Sequence, residues 1–331
     1  MVLVDEVKGR PPCNDSILIT GSSGLIGRAL IAKMPRGGLQ PLRFDVRETA
    51  APACGDLRDD SALERAVAKV VGIVHLGGVS RVIWGERFPK LCHAVNVEAT
   101  RKILALALNS RRKPWLVYAS SREVYGQQSV LPVAETARRM PMNTYARSKV
   151  AAEDLVAAAR EAGLATAVVR FSSVYADVDD HVDRVVPAFA CAAACGGTMR
   201  IDGPDCAFDF THADDVAAGL MKVCAALAAG EADLPALHFV SGASTTLREL
   251  AQLAADMSHG PTQIRLAAAR SFDISRFCGD PQRAAAILGW RTTIPLRTGL
   301  GKLIDDFRKL APVAAPAARP PQRSAMDRFQ S

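Results

Sequence analysis

ILITGSSGLIGRAL, residues 17–30, is the stretch whose reading decides the fold. Residues 17–20 are a short apolar run ended by glycine, the pattern of a buried strand. Residues 25–34 then carry a helical pattern. Gly21 allows a sharp chain reversal, Gly24 lets backbone approach a ligand with no Cβ in the way, and Gly27 lets helix and strand pack closely. The helix N-terminus adds free N–H groups and partial positive charge. A glycine triplet alone is common in turns. A strand before it and a helix after it complete the fingerprint of a dinucleotide pyrophosphate site. Gly21, Ser23, Gly24, Leu25, Ile26 and Gly27 are the expected contacts.

A second strand is expected over residues 41–44 and ends in Asp45, 24 residues after Gly21. That is near the offset of about 20 residues at which an acid binds the adenosine ribose. A carboxylate there accepts from the 2′-hydroxyl and repels a 2′-phosphate, which favours NAD over NADP. Arg47, two residues on, is the counterweight, because it could bind a phosphate if its loop turned inward.

The second informative segment is YARSK, residues 145–149, which sets Tyr145 and Lys149 one helical turn apart. A free tyrosine has a pKa of about 10 and needs help to act near neutrality. Lys149 and a positive nicotinamide both favour the phenolate. The pair is a proton-transfer device, and beside a dinucleotide site it points to redox chemistry on an alcohol.

The chain has 331 residues, 49% of them hydrophobic and 5% aromatic, enough for one large or two closely joined units with an aliphatic core. The net charge is +7, of which residues 311–331 supply +2. Basic residues are scattered with no aromatic interleaving, which argues against a nucleic-acid partner. The eight cysteines show no paired spacing and read as small apolar filler in a reducing compartment. The first residues lack the apolar core of a signal peptide, and the longest uncharged apolar run, 185–195, is too short to span a bilayer. A cytoplasmic protein without a membrane partner is expected.

Strand and helix patterns alternate: helices over 61–70, with Ser61 and Glu64 as a capping box, 89–109 and 145–162, and strands over 72–76, 115–119 and 166–171. This predicts an α/β fold, a Rossmann-type doubly wound parallel sheet with a smaller C-terminal substrate-binding part. Residues 1–14 read as a leader and 15–175 as the dinucleotide-binding unit, completed by about 207–242. A helix over 212–224 and a strand over 236–240 serve that completion. Residues 176–206 and 243–310 read as the substrate-binding part, and 311–331 as a disordered tail.

These residues resemble the extended short-chain dehydrogenase/reductases that act on nucleotide-sugars, the NAD-dependent epimerase/dehydratase family. The resemblance runs from about residue 17 to 308. GSSGLIG matches the glycine turn, GDLRD (with Asp56 and Leu57) the adenine-contacting segment, and VHLGG (with Leu76, Gly77 and Gly78) the end of strand four. NVEAT, with Asn96, is similar to Asn-Val-x-Gly-Thr. YASSREVYG resembles the segment carrying the catalytic hydroxyl, here Ser121. FDFTHADDVAAGL and LGW resemble later landmarks. The resemblance implies NAD as cofactor, a nucleotide-sugar substrate, Ser121, Tyr145 and Lys149 as the catalytic set, and a homodimer through helices 89–109 and 145–162. Leu104, Leu106 and Leu108 supply apolar positions beyond one sheet-facing stripe. Ser172, Ser173 and Arg270 fall where the family holds the nucleotide diphosphate. Phe208 stands in place of the usual arginine, and Ser173 in place of the usual asparagine.

The two residues directly after the catalytic hydroxyl separate the family's reactions. Dehydratases usually carry Asp-Glu there and decarboxylases Ser-Glu, whereas this chain carries Arg122-Glu123. Glu123 fits the base of either lyase and Arg122 the acid of neither, so a 4-epimerase is expected first and a lyase using Glu123 second. A dehydrogenase releasing NADH is third, and a non-catalytic NAD-binding protein fourth. Arg122 either faces solvent or meets a substrate carboxylate such as that of a uronic acid. Asp177, Asp179, Asp180, His181 and Asp183 cluster without a ligand spacing and read as a loop, with no metal expected. His75 reads as a strand-end residue, and Trp84 as a pocket or packing residue.

Overall fold

The computed structural model describes residues 15–35, 38–48, 55–181, 183–258, 260–269 and 274–310. The leader 1–14, the tail 311–331 and Arg270 lie outside them. In chain order the strands are β1 (Ser16–Thr20), β2 (Gln40–Phe44), β3 (Val70–His75), β4 (Trp115–Ser121), β5 (Thr166–Phe171) and β6 (Ser173–Tyr175). Later in the chain come β7 (Gly197–Asp202), β8 (Ala207–His212), β9 (Leu237–Phe239), β10 (Ser244–Thr246) and β11 (Thr262–Ala267). Six of them form one sheet in the order β2-β1-β3-β4-β5-β9, every neighbouring pair parallel. The expected doubly wound sheet is therefore present.

Period-two alternation builds its two faces. Ile17 and Ile19, Val117 and Ala119, and Val169 and Phe171 face one apolar layer with Leu30, Val216 and Leu220. Leu18, Leu116, Tyr118 and Val168 face the other, with Leu63, Ile103, Ala152 and Val156. β9 returns along β5, so residues far along the chain close the sheet, while β8 joins β6 and β10 in a three-stranded sheet. A third core, around Phe189, Leu250, Leu303 and Tyr175, supports that smaller part.

Two local expectations change. The helix expected over 61–70 spans Asp60–Val67, and its cap is Asp59, whose carboxylate accepts from Ala62 N at 3.0 Å. Asp59 still has extended backbone, whereas Ser61 already lies inside the first turn. The helix expected over 89–109 is interrupted by a π-helical turn, Ala94–Glu98, between Pro89–His93 and Ala99–Asn109. Asn96 lies in that turn. Its Oδ1 accepts from Val79 N at 2.8 Å, and its Nδ2 donates to Val79 O at 3.0 Å and Ser148 Oγ at 2.9 Å. Wide turns of this kind recur at functional sites. Leu104 is buried in its own chain, and Leu106 and Leu108 pack partly against the same core. No helix among the described residues is long and apolar enough to cross a membrane.

His75 and His238 are both buried inside this frame. His75 lies between Thr20 Oγ1 (2.7 Å) and Thr100 Oγ1 (3.0 Å), and His238 Nε2 faces Tyr125 Oη at 2.6 Å. Burial, helped by Lys149 for His75 and Arg170 for His238, pulls each imidazole from 6.5 to about 3. Between about 3 and 6.5 the unfolded chain therefore binds more protons, so stability falls as pH falls through that window. Each group contributes a slope approaching about 1.4 kcal/mol per pH unit there. Denaturant melts of wild type and His238→Gln should show lower stability for the variant at pH 7 but a shallower loss toward pH 4. Parallel pH dependences would refute the assignment.

Candidate active site

The site begins where β1 ends. Gly21 has φ +68°, and a Cβ there would lie 2.7 Å from Gly77 N. A Cβ on Gly27 would lie 2.4 Å from Gly21 O, so both positions demand glycine. The helix Leu25–Lys33 opens with Gly24 as N-cap and no capping side chain. Gly77 N donates to Thr20 Oγ1 at 3.0 Å, which leaves the Thr20 hydroxyl proton for His75 Nδ1. Thr100 Oγ1 donates to Asn96 O at 2.8 Å, so His75 donates through Nε2. His75 is thus a neutral tie behind the glycine turn.

A cleft of about 640 Å³ runs from Asp45 over the glycine turn to Tyr145. Gly21, Gly24, Leu25, Ile26 and Gly27 border it at the turn, Leu57, Leu76, Gly77 and Gly78 along the wall, and Lys149 at the far end. Backbone packs on backbone where Gly21 meets Gly77, and a helix N-terminus faces the cleft. This is the cradle that a dinucleotide diphosphate requires, and the residues present fit NAD. Three sequence candidates stand behind the wall. Ser23 donates from N to Asp45 (3.1 Å) and from Oγ to Glu48 (2.6 Å). Asp56 is clasped by Arg58, with Nη2 at 2.6 Å from Oδ2. Asn96 pins the loop after β3 at Val79.

Ser121, Tyr145 and Lys149 converge at the end of β4. The helix Thr144–Glu161 is capped by Asn143, whose Oδ1 accepts from Ala146 N at 2.8 Å, so Tyr145 lies in its first turn. Lys149 Nζ donates to Ala119 O at 2.8 Å and lies 5.9 Å from the Tyr145 ring centre. Burial pushes the Tyr145 phenol well up, against a hydrogen bond with Ser121 that lowers it, while Glu123 adds to the rise. Burial pulls Lys149 down to about 8, opposed by Cys92 and Glu153. Arg184, also at the cleft, lowers Tyr145 by its charge, and residue spacing gave no signal of it.

At the Tyr145 end of the cleft, Arg122 faces inward. Its guanidinium lies 4.1 Å from the Phe208 ring centre, and its Nε lies 3.4 Å from Glu123 Oε1. Glu123 is buried, and its Oε2 accepts from Asn143 Nδ2 at 3.1 Å. Ser121 Oγ accepts from Glu123 N at 3.2 Å. Ser172 and Ser173 border the same end, with Ser172 Oγ donating to Asp209 O at 2.7 Å. Trp84 also borders the cleft and meets His181 edge-on at 4.9 Å. The acidic loop is spoken for by arginines: Asp177 by Arg28 (2.9 Å), Asp180 by Arg184 (3.3 Å), and Asp183 by Arg81. No group of three or more metal-ligating side chains exists among the described residues.

Residues 17–236 match the NAD dependent epimerase/dehydratase family. A UDP-glucose 4-epimerase of Rhizobium leguminosarum bv. trifolii is 26% identical over 305 residues, covering 83% of this chain and 92% of that one. A 2-alkyl-3-oxoalkanoate reductase of Stenotrophomonas maltophilia is 29% identical over 247 residues, covering 71% and 73%. In fold, the chain is similar to the UDP-glucose 4-epimerase of Thermotoga maritima solved with UDP-glucose. That likeness has a TM-score of 0.80 at 22% identity and covers 89% of this chain and 99% of that one. The chain therefore belongs to the NAD dependent epimerase/dehydratase family, and NAD is the cofactor that its glycine turn accommodates.

Proposed function

We propose that this enzyme is a nucleotide-sugar 4-epimerase acting through a transient 4-keto sugar, on a hexose or a hexuronic acid. The observation that carries the reading is the pair of half-buried Arg122 and buried Glu123 (3.4 Å), with Asn143 on the second carboxylate oxygen. A lyase needs Glu123 free to reach the substrate, and this carboxylate is instead tied on one oxygen to a guanidinium and on the other to an amide. An epimerase needs only the Ser121–Tyr145–Lys149 set. The epimerases among the relatives support the same reading.

Held by the glycine turn, NAD would supply reversible hydride exchange with the alcohol carbon. Tyr145 takes the hydroxyl proton and gives it back after the keto sugar has turned over in the cleft. Ser121 hydrogen-bonds the reacting oxygen. The Ser121 hydrogen bond and the Arg184 guanidinium oppose the burial that favours the neutral phenol, and Lys149 would hold the nicotinamide ribose. Gly21, Gly24 and the first amides of Leu25–Lys33 would hold the pyrophosphate, with Asp45 and Arg47 at the adenosine end. Arg122, Ser172 and Ser173 face the substrate, with Arg122 placed to meet a uronic carboxylate or a phosphate. A homodimer through the helices Ala99–Asn109 and Thr144–Glu161, in a cytoplasmic setting, belongs to the same reading. Leu106, Leu108 and Leu155 are only partly buried there.

Four measurements test this. Tyr145→Phe keeps the ring and should leave NAD binding intact while kcat falls about 10²–10⁴-fold; near-normal turnover removes Tyr145 from the mechanism. Glu123→Gln should slow epimerisation modestly with no change of product. In D₂O the wild-type product should carry no carbon-bound deuterium, because the same hydride returns. Carbon-bound deuterium, with product lost in Glu123→Gln, would establish the lyase that Glu123's place in the cleft otherwise allows. Light scattering at micromolar concentration should give twice the chain mass, and a lone monomer peak would sink the dimer.

A further inference from the structure

Asp45 is the acid expected to bind the adenosine ribose, yet its own chain already occupies it. Oδ2 accepts from Ser23 N (3.1 Å) and Arg47 Nη2 (3.2 Å). Oδ1 accepts from Arg47 N (2.9 Å) and Arg47 Nε (3.1 Å). A carboxylate offers about four lone-pair sites, so these four donors fill it. For the ribose hydroxyls to donate to Asp45, the Arg47 guanidinium has to give way.

That guanidinium borders the cleft, and its Nη2 lies 3.6 Å from where a Cβ on Gly24 would stand. The inward turn of the loop that Arg47 needed to reach a phosphate has therefore happened. Asp45 takes only two of its five side-chain N–H groups. The charge around it is balanced. Glu48 accepts from Ser23 Oγ (2.6 Å) and pairs with Arg43 (2.5 Å), so two carboxylates face two guanidiniums and no net negative field repels an anion.

We propose that Arg47, braced by Asp45, is a seat for a ribose 2′-phosphate, so that this site takes NADP as well as NAD. The inference rests on the dinucleotide reading of the cleft. A phosphate meets a planar guanidinium already held in one orientation, which lowers the cost of ordering it. Loss of Arg47 should in turn free Asp45 for the ribose hydroxyls and sharpen the preference for NAD.

The test uses calorimetric binding of 2′,5′-ADP and 5′-AMP to the full chain, so it is independent of turnover. Wild type should bind 2′,5′-ADP at least as tightly as 5′-AMP. Arg47→Ala should weaken 2′,5′-ADP about tenfold or more, the loss expected of a charge-assisted phosphate contact, while 5′-AMP binding holds or tightens. Arg47→Lys, which keeps charge without the fork, should fall between. A wild-type preference for 5′-AMP of about tenfold or more would overturn the proposal. So would an unchanged ratio in Arg47→Ala. The wild-type ratio decides the matter alone if the variants do not fold. Binding of neither nucleotide would overturn the dinucleotide reading along with it, which separates the two failures.

Discussion

Arg170, near the end of β5, places a guanidinium in the protein interior, and Glu153 answers it from the helix Thr144–Glu161. Nε donates to Glu153 Oε1 at 2.8 Å and Nη2 to Oε2 at 2.6 Å. Nη1 donates to Tyr125 Oη at 2.6 Å and to Glu135 O at 2.8 Å. Tyr125, receiving that bond, donates to His238 Nε2, and His238 N donates to Glu135 Oε1 at 3.0 Å. One cation thus ties β5, the helix Thr144–Glu161, the turn after β4 and β9. Burial alone would lower the Arg170 pKa, but the bonds and charge of Glu153 outweigh it and raise it. Breaking a buried pair by removing one partner costs about 3–5 kcal/mol, because the other charge is left uncompensated.

The consequence for chemistry is geometric. Glu153, Lys149 and Tyr145 succeed one another at four-residue steps, hence along one helix face. Pinning Glu153 to the sheet sets the depth of the whole face, and Lys149 then reaches Ala119 O at the end of β4. Ser121 and Tyr145 meet because the strand that carries one and the helix that carries the other are locked at both levels. Burial that makes this precision possible also moves Tyr145 up and Lys149 down, each toward its neutral form. The Arg184 guanidinium, which also borders the cleft, acts on Tyr145 in the opposite sense to burial.

Arginine placement is what individualises the site. Phe208 occupies the position where an arginine was expected, and its ring lies under the guanidinium of Arg122, which arrives from the turn after β4. The positive charge remains at the substrate end but comes from another element. Arg47 similarly reaches the carboxylate meant for the ribose. In both cases a guanidinium and a carboxylate close in sequence, Arg122 with Glu123 and Arg47 with Asp45, pair inside the cleft instead of in solvent.

The glycine turn, the parallel sheet and the family were legible in the sequence because each rests on a local rule. Period-two and helical apolar patterns assign faces. Gly21 and Gly27 are read from a strand–turn–helix context, and a four-residue spacing sets one helix face. Cap and helix ends were less legible: Asp59 displaced Ser61, and the helix through Asn96 widens into a π turn, because side chains from other segments decide those positions. The direction of Arg122, the capture of Asp45 by Arg47, the role of His75 as a neutral tie and the reach of Arg184 toward Tyr145 were settled only in three dimensions. A polar side chain's direction depends on partners far along the chain, Phe208 for Arg122 and Thr20 and Thr100 for His75, and no local pattern encodes which of them folding brings within a few ångströms.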